Sequence, residues 1–240
     1  MKNFDSGSGS GLESILFWQF ANMDLKRLEH IVDLTHEIGD STPSYPGDPP
    51  TKHESIYTVE KDGFAVDFWH LATHTGTHID AAAHVLNDAE AVALSQYPLS
   101  HFEGVARVVR VNGERITLSA VEKALRSRRQ VDWLIVCSGW ARFWECPEIY
   151  FQGTYPLLDS GVVEYLVAMG VKGIALDMPS PDRYGADDYL HRKLLSSGLL
   201  IVENLADCSS LPTNKDLWFS AWPVKWDSAD GAPVRAMARY

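Results

Sequence analysis

Cysteine is scarce in this chain. Only Cys137, Cys146 and Cys208 occur among 240 residues, and no two are spaced as Cys-x-x-Cys. That excludes a disulfide framework and a cysteine-rich zinc module, and it predicts reduced, mostly buried thiols in a cytoplasmic protein. Positive charge is also short: 21 Lys and Arg stand against 32 Asp and Glu, for a net charge of -11. Such a chain is a poor ligand for nucleic acid or an anionic membrane surface. The acidic residues are dispersed, so no acidic tail is implied. No apolar run reaches the roughly 20 residues of a membrane span. The N-terminus lacks the ordered charge, apolar core and cleavage site of a signal peptide. Internal repeats are missing as well.

What remains is the composition of an ordinary globular protein, 45% hydrophobic, with enough length for a full core. Residues 5–11, Asp-Ser-Gly-Ser-Gly-Ser-Gly, read as a flexible linker. Residues 12–29 predict a helix with a broad apolar face of Ile15, Leu16, Trp18, Phe20, Met23 and Leu25. That helix either packs on its own core or forms an arm that docks on a second subunit. The chain thus divides into an N-terminal arm, residues 1–30, and one folded domain, residues 31–240.

Within the domain, Ile31–Thr35 predicts a strand, and the proline-rich stretch 42–50 a rigid loop. Segments 53–60 and 63–73 predict antiparallel strands joined at Lys61-Asp62-Gly63. Further strands are expected over 104–111, 131–138, 173–178, 199–205 and from Trp218 onward. Helices are expected over 120–128, with a capping box of Ser119 and Glu122, and over 159–170. The pattern is α/β: a mixed β-sheet with flanking helices.

The chemistry concentrates in His74-Thr75-Gly76-Thr77-His78-Ile79-Asp80-Ala81-Ala82-Ala83-His84. Imidazole and carboxylate are donors that zinc and manganese accept. A regular helix would turn Asp80 away from His74 and His78. A straight strand would spread the three too far for one ion, at roughly 3.3 Å per residue. The backbone must therefore curl, and Gly76 permits it. His84 is left at the rim. Glu203 lies in the apolar run Leu199–Leu205, where an unpaired carboxylate costs several kcal/mol. Either it pairs with Arg192 or Arg235, or it joins His191, across the turn at Gly198, as a second donor pair. In the second case Asp80 can bridge two ions, one held by His74 and His78, the other by His191 and Glu203. Trp69, beside the motif, belongs to the core or lines a pocket.

His74–His84 resembles the HxGTHxDxPxH signature of the metal-dependent cyclase family, with Ala82 where the signature has proline. Asp33-Leu34-Thr35 and Tyr45-Pro46-Gly47-Asp48 resemble its first strand and PGD loop. Asp177–Asp182 resembles its DTPSxD segment, and Asp230–Ala236 its GxPxRA segment. The resemblance implies a swivelling β/β/α domain, commonly a homodimer, that hydrolyses a small amide, imide or lactone. The best-defined activity in the family is opening N-formyl-L-kynurenine to kynurenine and formate. His191 and Glu203 resemble the distal ligands of its binuclear members, which implies one or two divalent ions per chain, zinc first and manganese second. His84, outside the ligand set, is the candidate proton carrier. Tyr45 and Trp69 are the candidate substrate contacts. The other class of function left open is a non-catalytic metal-binding scaffold, although Gly, Thr and Ala around the donors favour an open site.

Overall fold

The computed structural model describes residues 30–87, 91–126 and 130–240. The helix expected over residues 12–29 lies outside them. Twelve strands are present among the described residues: β1 (Ile31–Asp33), β2 (Lys52–Tyr57), β3 (Val66–His70), β4 (His78–Asp80), β5 (Glu103–Arg110), β6 (Arg115–Ile116), β7 (Trp133–Cys137), β8 (Leu157–Leu158), β9 (Gly173–Leu176), β10 (Leu200–Glu203), β11 (Leu217–Pro223) and β12 (Gly231–Arg239).

Eight of them form one sheet, in the order β1-β12-β11-β5-β7-β9-β10-β4. The central run β5-β7-β9-β10 is parallel. Its strands Trp133-Leu-Ile-Val-Cys137 and Leu200-Ile-Val-Glu203 are buried on both faces, which explains their continuous apolar sequence. The flanks are antiparallel. The three-residue strand β4 pairs with β10 on one side and β12 on the other, so the sheet closes on itself. The sheet is mixed with helices on its outer face, as expected, and its closure goes beyond that expectation. The fold is mostly strand and barrel-like, and so short a strand carries no sequence sign that it joins two edges.

Closure needs small residues inside. Ala81, Ala106, Ala175, Ala221, Ala232, Ala236 and Ala238 are all fully buried in the inner cluster, with Trp133 and Phe219 filling the remaining space at a ring separation of 5.2 Å. Gly173 must be glycine, because a Cβ there would come within 2.5 Å of the Trp133 ring. On the outer face Leu134, Val136, Ile174 and Ile201 pack against Val121 and Leu125 of the helix Leu118–Leu125, Val163 and Leu166 of the helix Val162–Ala168, and Leu194 of the helix Tyr189–Ser196.

Several local expectations change. The helix expected over 120–128 begins at Leu118, and its cap is Thr117, whose hydroxyl accepts the Ala120 N–H. Ser119 is inside the helix rather than at its cap. The β2–β3 hairpin turns through a short helix, Val59–Asp62, ended by left-handed Gly63, instead of a tight Asp-Gly turn. Every residue of β2 and β3 is exposed. His191 is carried by a helix, Tyr189–Ser196, that was not among the expected elements.

Candidate metal centre

β4 delivers His78 and Asp80, two residues apart, to one face of the sheet. The register sets Glu203 of β10 directly opposite His78. His74 arrives on the turn ahead of β4, and Gly76, at φ 63°, makes that turn. The curled backbone expected from the spacing is therefore present. His191 enters from its helix. The predicted donors converge: Asp80 Oδ1 lies 2.7 Å from His74 Nδ1 and 3.2 Å from His78 Nε2. Glu203 Oε2 is 3.4 Å from His78 Nε2, and Glu203 Oε1 is 3.2 Å from His191 Nε2. Arg235 pairs with Asp33, and Arg192 donates to the Val85 carbonyl, so neither neutralises Glu203.

Each imidazole is held by its other nitrogen. His78 Nδ1 lies 2.9 Å from the Gly76 carbonyl, which also accepts from Asn204 Nδ2. His191 Nδ1 lies 2.8 Å from Asp182 Oδ2, and the Asp182 carboxylate also caps the first backbone N–H groups of the helix, Leu190 and His191. His74 Nε2 lies 3.0 Å from Asp230 Oδ2. Fixing one ring nitrogen leaves the other to face the cluster, the usual arrangement of metal-ligating histidines.

The donors form two overlapping groups, His74/His78/Asp80 and Asp80/His191/Glu203, with all donor atoms of each group within 4.8 Å of one another. Two oxygens, Asp80 Oδ2 and Glu203 Oε1, are buried without a hydrogen-bond partner. Glu203 Oε1 is close to His191 Nε2 but not aligned with it for a hydrogen bond. Orphaned carboxylate oxygens are costly inside a protein. A divalent cation in each group would satisfy both, and nitrogen with oxygen donors suits zinc or manganese. The residues fit such ions.

Electrostatics agree. Burial opposes charge on His74 and His78, yet Asp80 and the neighbouring carboxylates outweigh it and raise the two pKa values to about 9 and about 10. His191 is likewise raised well above its usual value against burial, by Asp182 and Glu203. For Asp80, burial is outweighed by His78 and His74, which hold it well below the usual carboxylate range. A cation must displace the ring protons, so its binding releases protons and weakens as pH falls. The sign for stability without metal follows. Raised imidazole pKa values stabilise fully below 6.5, and this stabilisation is lost as pH rises through about 9 and 10. The depressed Asp80 stabilises above 3.8, and its contribution is lost below that. Chelator-treated protein should therefore show a melting temperature that declines between pH 6.5 and 10. A flat profile over that range, read by circular dichroism, would refute the charged-cluster description.

His84 follows β4 on a short 3-10 turn, Ala82–His84. Its ring centroid is 4.0 Å from that of His74 and 5.7 Å from that of His191, and its side chain is 31% exposed. It stands beside both groups without belonging to either. Ala82, where the signature has proline, is buried, and its N–H points at the Tyr97 hydroxyl at 3.4 Å, a contact proline cannot make. Tyr45 packs its ring against Phe151 and Tyr184. Burial, then the charges of Asp188 and Glu203, raise the Tyr45 pKa. Trp69 is not core. It is exposed on β3, stacked on His53 at 4.9 Å.

Three supports were assigned no place at the site from sequence: Asp182 and Asp230, which stood only in family-like segments, and Asn204. Tyr150, whose hydroxyl donates to Asn204 Oδ1, is a fourth. Asp230 is 156 residues from His74, so no local spacing could expose it. Asn204 carried one sign, its place immediately after Glu203, and its φ of 56° is one that asparagine tolerates.

The family described as "Putative cyclase" matches residues 32–183. The chain belongs to the cyclase family. A curated relative, kynurenine formamidase of Geobacillus thermodenitrificans, is 29% identical over 211 residues, covering 87% of this chain and 96% of that protein. Kynurenine formamidase of Bacillus cereus is 27% identical over 219 residues, with the same coverage. Among solved structures, an isatin hydrolase bound to the product analogue thioisatinate superposes with a TM-score of 0.78 at 19% identity, covering 96% of this chain and 99% of that one. At that identity the likeness speaks for the fold, and it is the cyclase-family fold that the closed sheet and its outer helices make here.

Proposed function

We propose that this cyclase-family chain is a metal-dependent hydrolase of small aryl amides, with N-formylkynurenine as its first substrate. The observation that carries this reading is the pair of donor groups joined at Asp80, with two buried oxygens lacking partners. The curated relatives named kynurenine formamidase, matched over 87% of the chain, support the substrate. His74, His78 and Asp80 would hold one ion, and Asp80, His191 and Glu203 a second, zinc first and manganese second.

When bound, a divalent cation supplies Lewis acidity that makes water nucleophilic near neutral pH and polarises a carbonyl. His84 takes the proton from the attacking water and delivers it to the departing nitrogen. The water oxygen bonds to the formyl carbon, the C–N bond breaks, and the nitrogen keeps its electron pair and receives the proton as formate leaves. The partly exposed rings of Tyr45 and Tyr184, 5.7 Å apart, would offer faces to an aryl group.

A homodimer belongs to the same proposal. The hairpin of β2 and β3 exposes Ile56, Tyr57, Phe64, Phe68 and Trp69, an apolar surface that a second copy would cover. Substrate contact by Trp69 is part of that dimer reading. Sedimentation at monomer mass would overturn both. A cytoplasmic setting rests on the free, buried Cys137 and Cys208. Among the described residues no helix is long and apolar enough to cross a membrane.

The deciding experiment is a hydrolysis screen of zinc- and manganese-loaded protein on N-formyl-L-kynurenine, isatin and aryl lactones. The formamide should give the highest kcat/KM. Faster opening of isatin or a lactone would move the substrate within the family, and stoichiometric metal with no turnover would favour the scaffold.

A further inference from the structure

Asp230 touches two imidazoles to which the proposed mechanism gives different work. Its Oδ2 is 3.0 Å from His74 Nε2 and 3.5 Å from His84 Nδ1. Among the described residues it is the carboxylate within 4 Å of His84. Its backbone is fixed to the motif, since its carbonyl accepts the Ala81 N–H at 2.8 Å, one residue after Asp80. The next residue, Gly231, stands opposite Asp80 in register, and a Cβ there would come within 2.7 Å of His74 Cε1. So Gly231 clears space for the His74 ring, and Asp230 grips that ring by its outer nitrogen.

We propose that Asp230 is a positioning residue that holds His74 and His84 as one unit. It accepts the Nε2–H of His74, and the same oxygen stands 3.5 Å from His84 Nδ1, where its negative charge favours a proton on that nitrogen. The consequence differs at the two rings. His74 presents Nδ1 to the side of Asp80, as the 2.7 Å contact requires. His84 is kept in the tautomer whose Nε2 is unprotonated and free to take a proton. Without the carboxylate, the neutral His84 ring distributes its proton between both nitrogens, and the 40° tilt between the two rings is no longer enforced. The assignment rests on the proposed role of His84, but its physical content can be read without substrate.

The test compares Asp230→Ala and Asp230→Asn with the parent protein, all zinc-loaded. Three quantities are read: zinc retention against a competing chelator, the tautomer of His84 from two-bond nitrogen–proton correlation spectra, and kcat and KM separately. Asp230→Ala should weaken zinc retention by roughly 10- to 100-fold, the usual scale for an outer partner of a metal-bound histidine. It should also shift His84 to mixed tautomers, and lower kcat with KM nearly unchanged. Asp230→Asn keeps one accepting oxygen and should recover part of each effect, which also covers the case in which the alanine variant fails to fold. An unchanged His84 spectrum in either variant would overturn the proposal. So would loss of a whole zinc equivalent that excess zinc does not restore, since that would make Asp230 a ligand. If no amide is hydrolysed by any variant, the function fails while the tautomer and zinc measurements still decide on Asp230.

Discussion

Replacing Asp80 with alanine is expected to empty both donor groups and abolish turnover. Asp80 is fully buried, and it is the one residue common to the two groups. Its Oδ1 meets His74 and His78, and its Oδ2, without a hydrogen-bond partner, lies 3.9 Å from His191 Nε2. Removing it also leaves raised imidazoles facing one another without their main counter-charge. Breaking one side of a buried ionic cluster destabilises by roughly 3–5 kcal/mol, so Asp80→Asn serves as the milder companion. Activity should fall by at least about 10⁴-fold, because water loses its activation with the ions. Glu203→Ala should act differently. It should cost one ion and leave the His74/His78/Asp80 group filled. Elemental analysis of the purified variants separates these outcomes. An Asp80→Ala protein that still holds two ions would contradict the bridging role. A Glu203→Ala protein at full occupancy would leave a single-ion site.

The second large effect is expected at His84. His84→Ala should keep its metal and lose roughly 10²–10⁴ in turnover, the usual contribution of a positioned acid–base group. The competing explanation is that His84 merely supports a ligand. Its ring packs 4.0 Å from that of His74, so a supporting role would act through His74. In that case excess zinc or manganese should restore activity. Activity measured at saturating metal, together with metal content, decides: persistent loss at full occupancy is predicted, and recovery would refute the proton-carrier role.

Much of this centre could be read in the chain because its donors cluster locally. His74, His78 and Asp80 lie within seven positions, and Gly76 signals the bend that brings them together. Glu203 was visible as a carboxylate out of place in an apolar strand. What could not be read depends on contacts distant in sequence. Asp230 reaches His74 only because β12 closes against β4, and a three-residue strand gives no periodicity from which closure could be inferred. The helix under His191 was missed because Tyr-Leu-His-Arg-Lys-Leu-Leu-Ser is short and polar on one side, with its cap supplied by Asp182, outside the helix. Trp69 looked like a core or pocket residue from its size, and its exposure on β3 removes only the core alternative.

The most direct test of the account is where metal sits relative to Asp80. Crystals of the zinc-loaded protein, measured at the zinc absorption edge, give an anomalous map that needs no assumption about activity. The account predicts two peaks flanking the Asp80 carboxylate, one among His74 Nδ1, His78 Nε2 and Asp80, the other among Asp80, His191 Nε2 and Glu203. Zinc bound elsewhere, with neither peak in contact with Asp80, would contradict it.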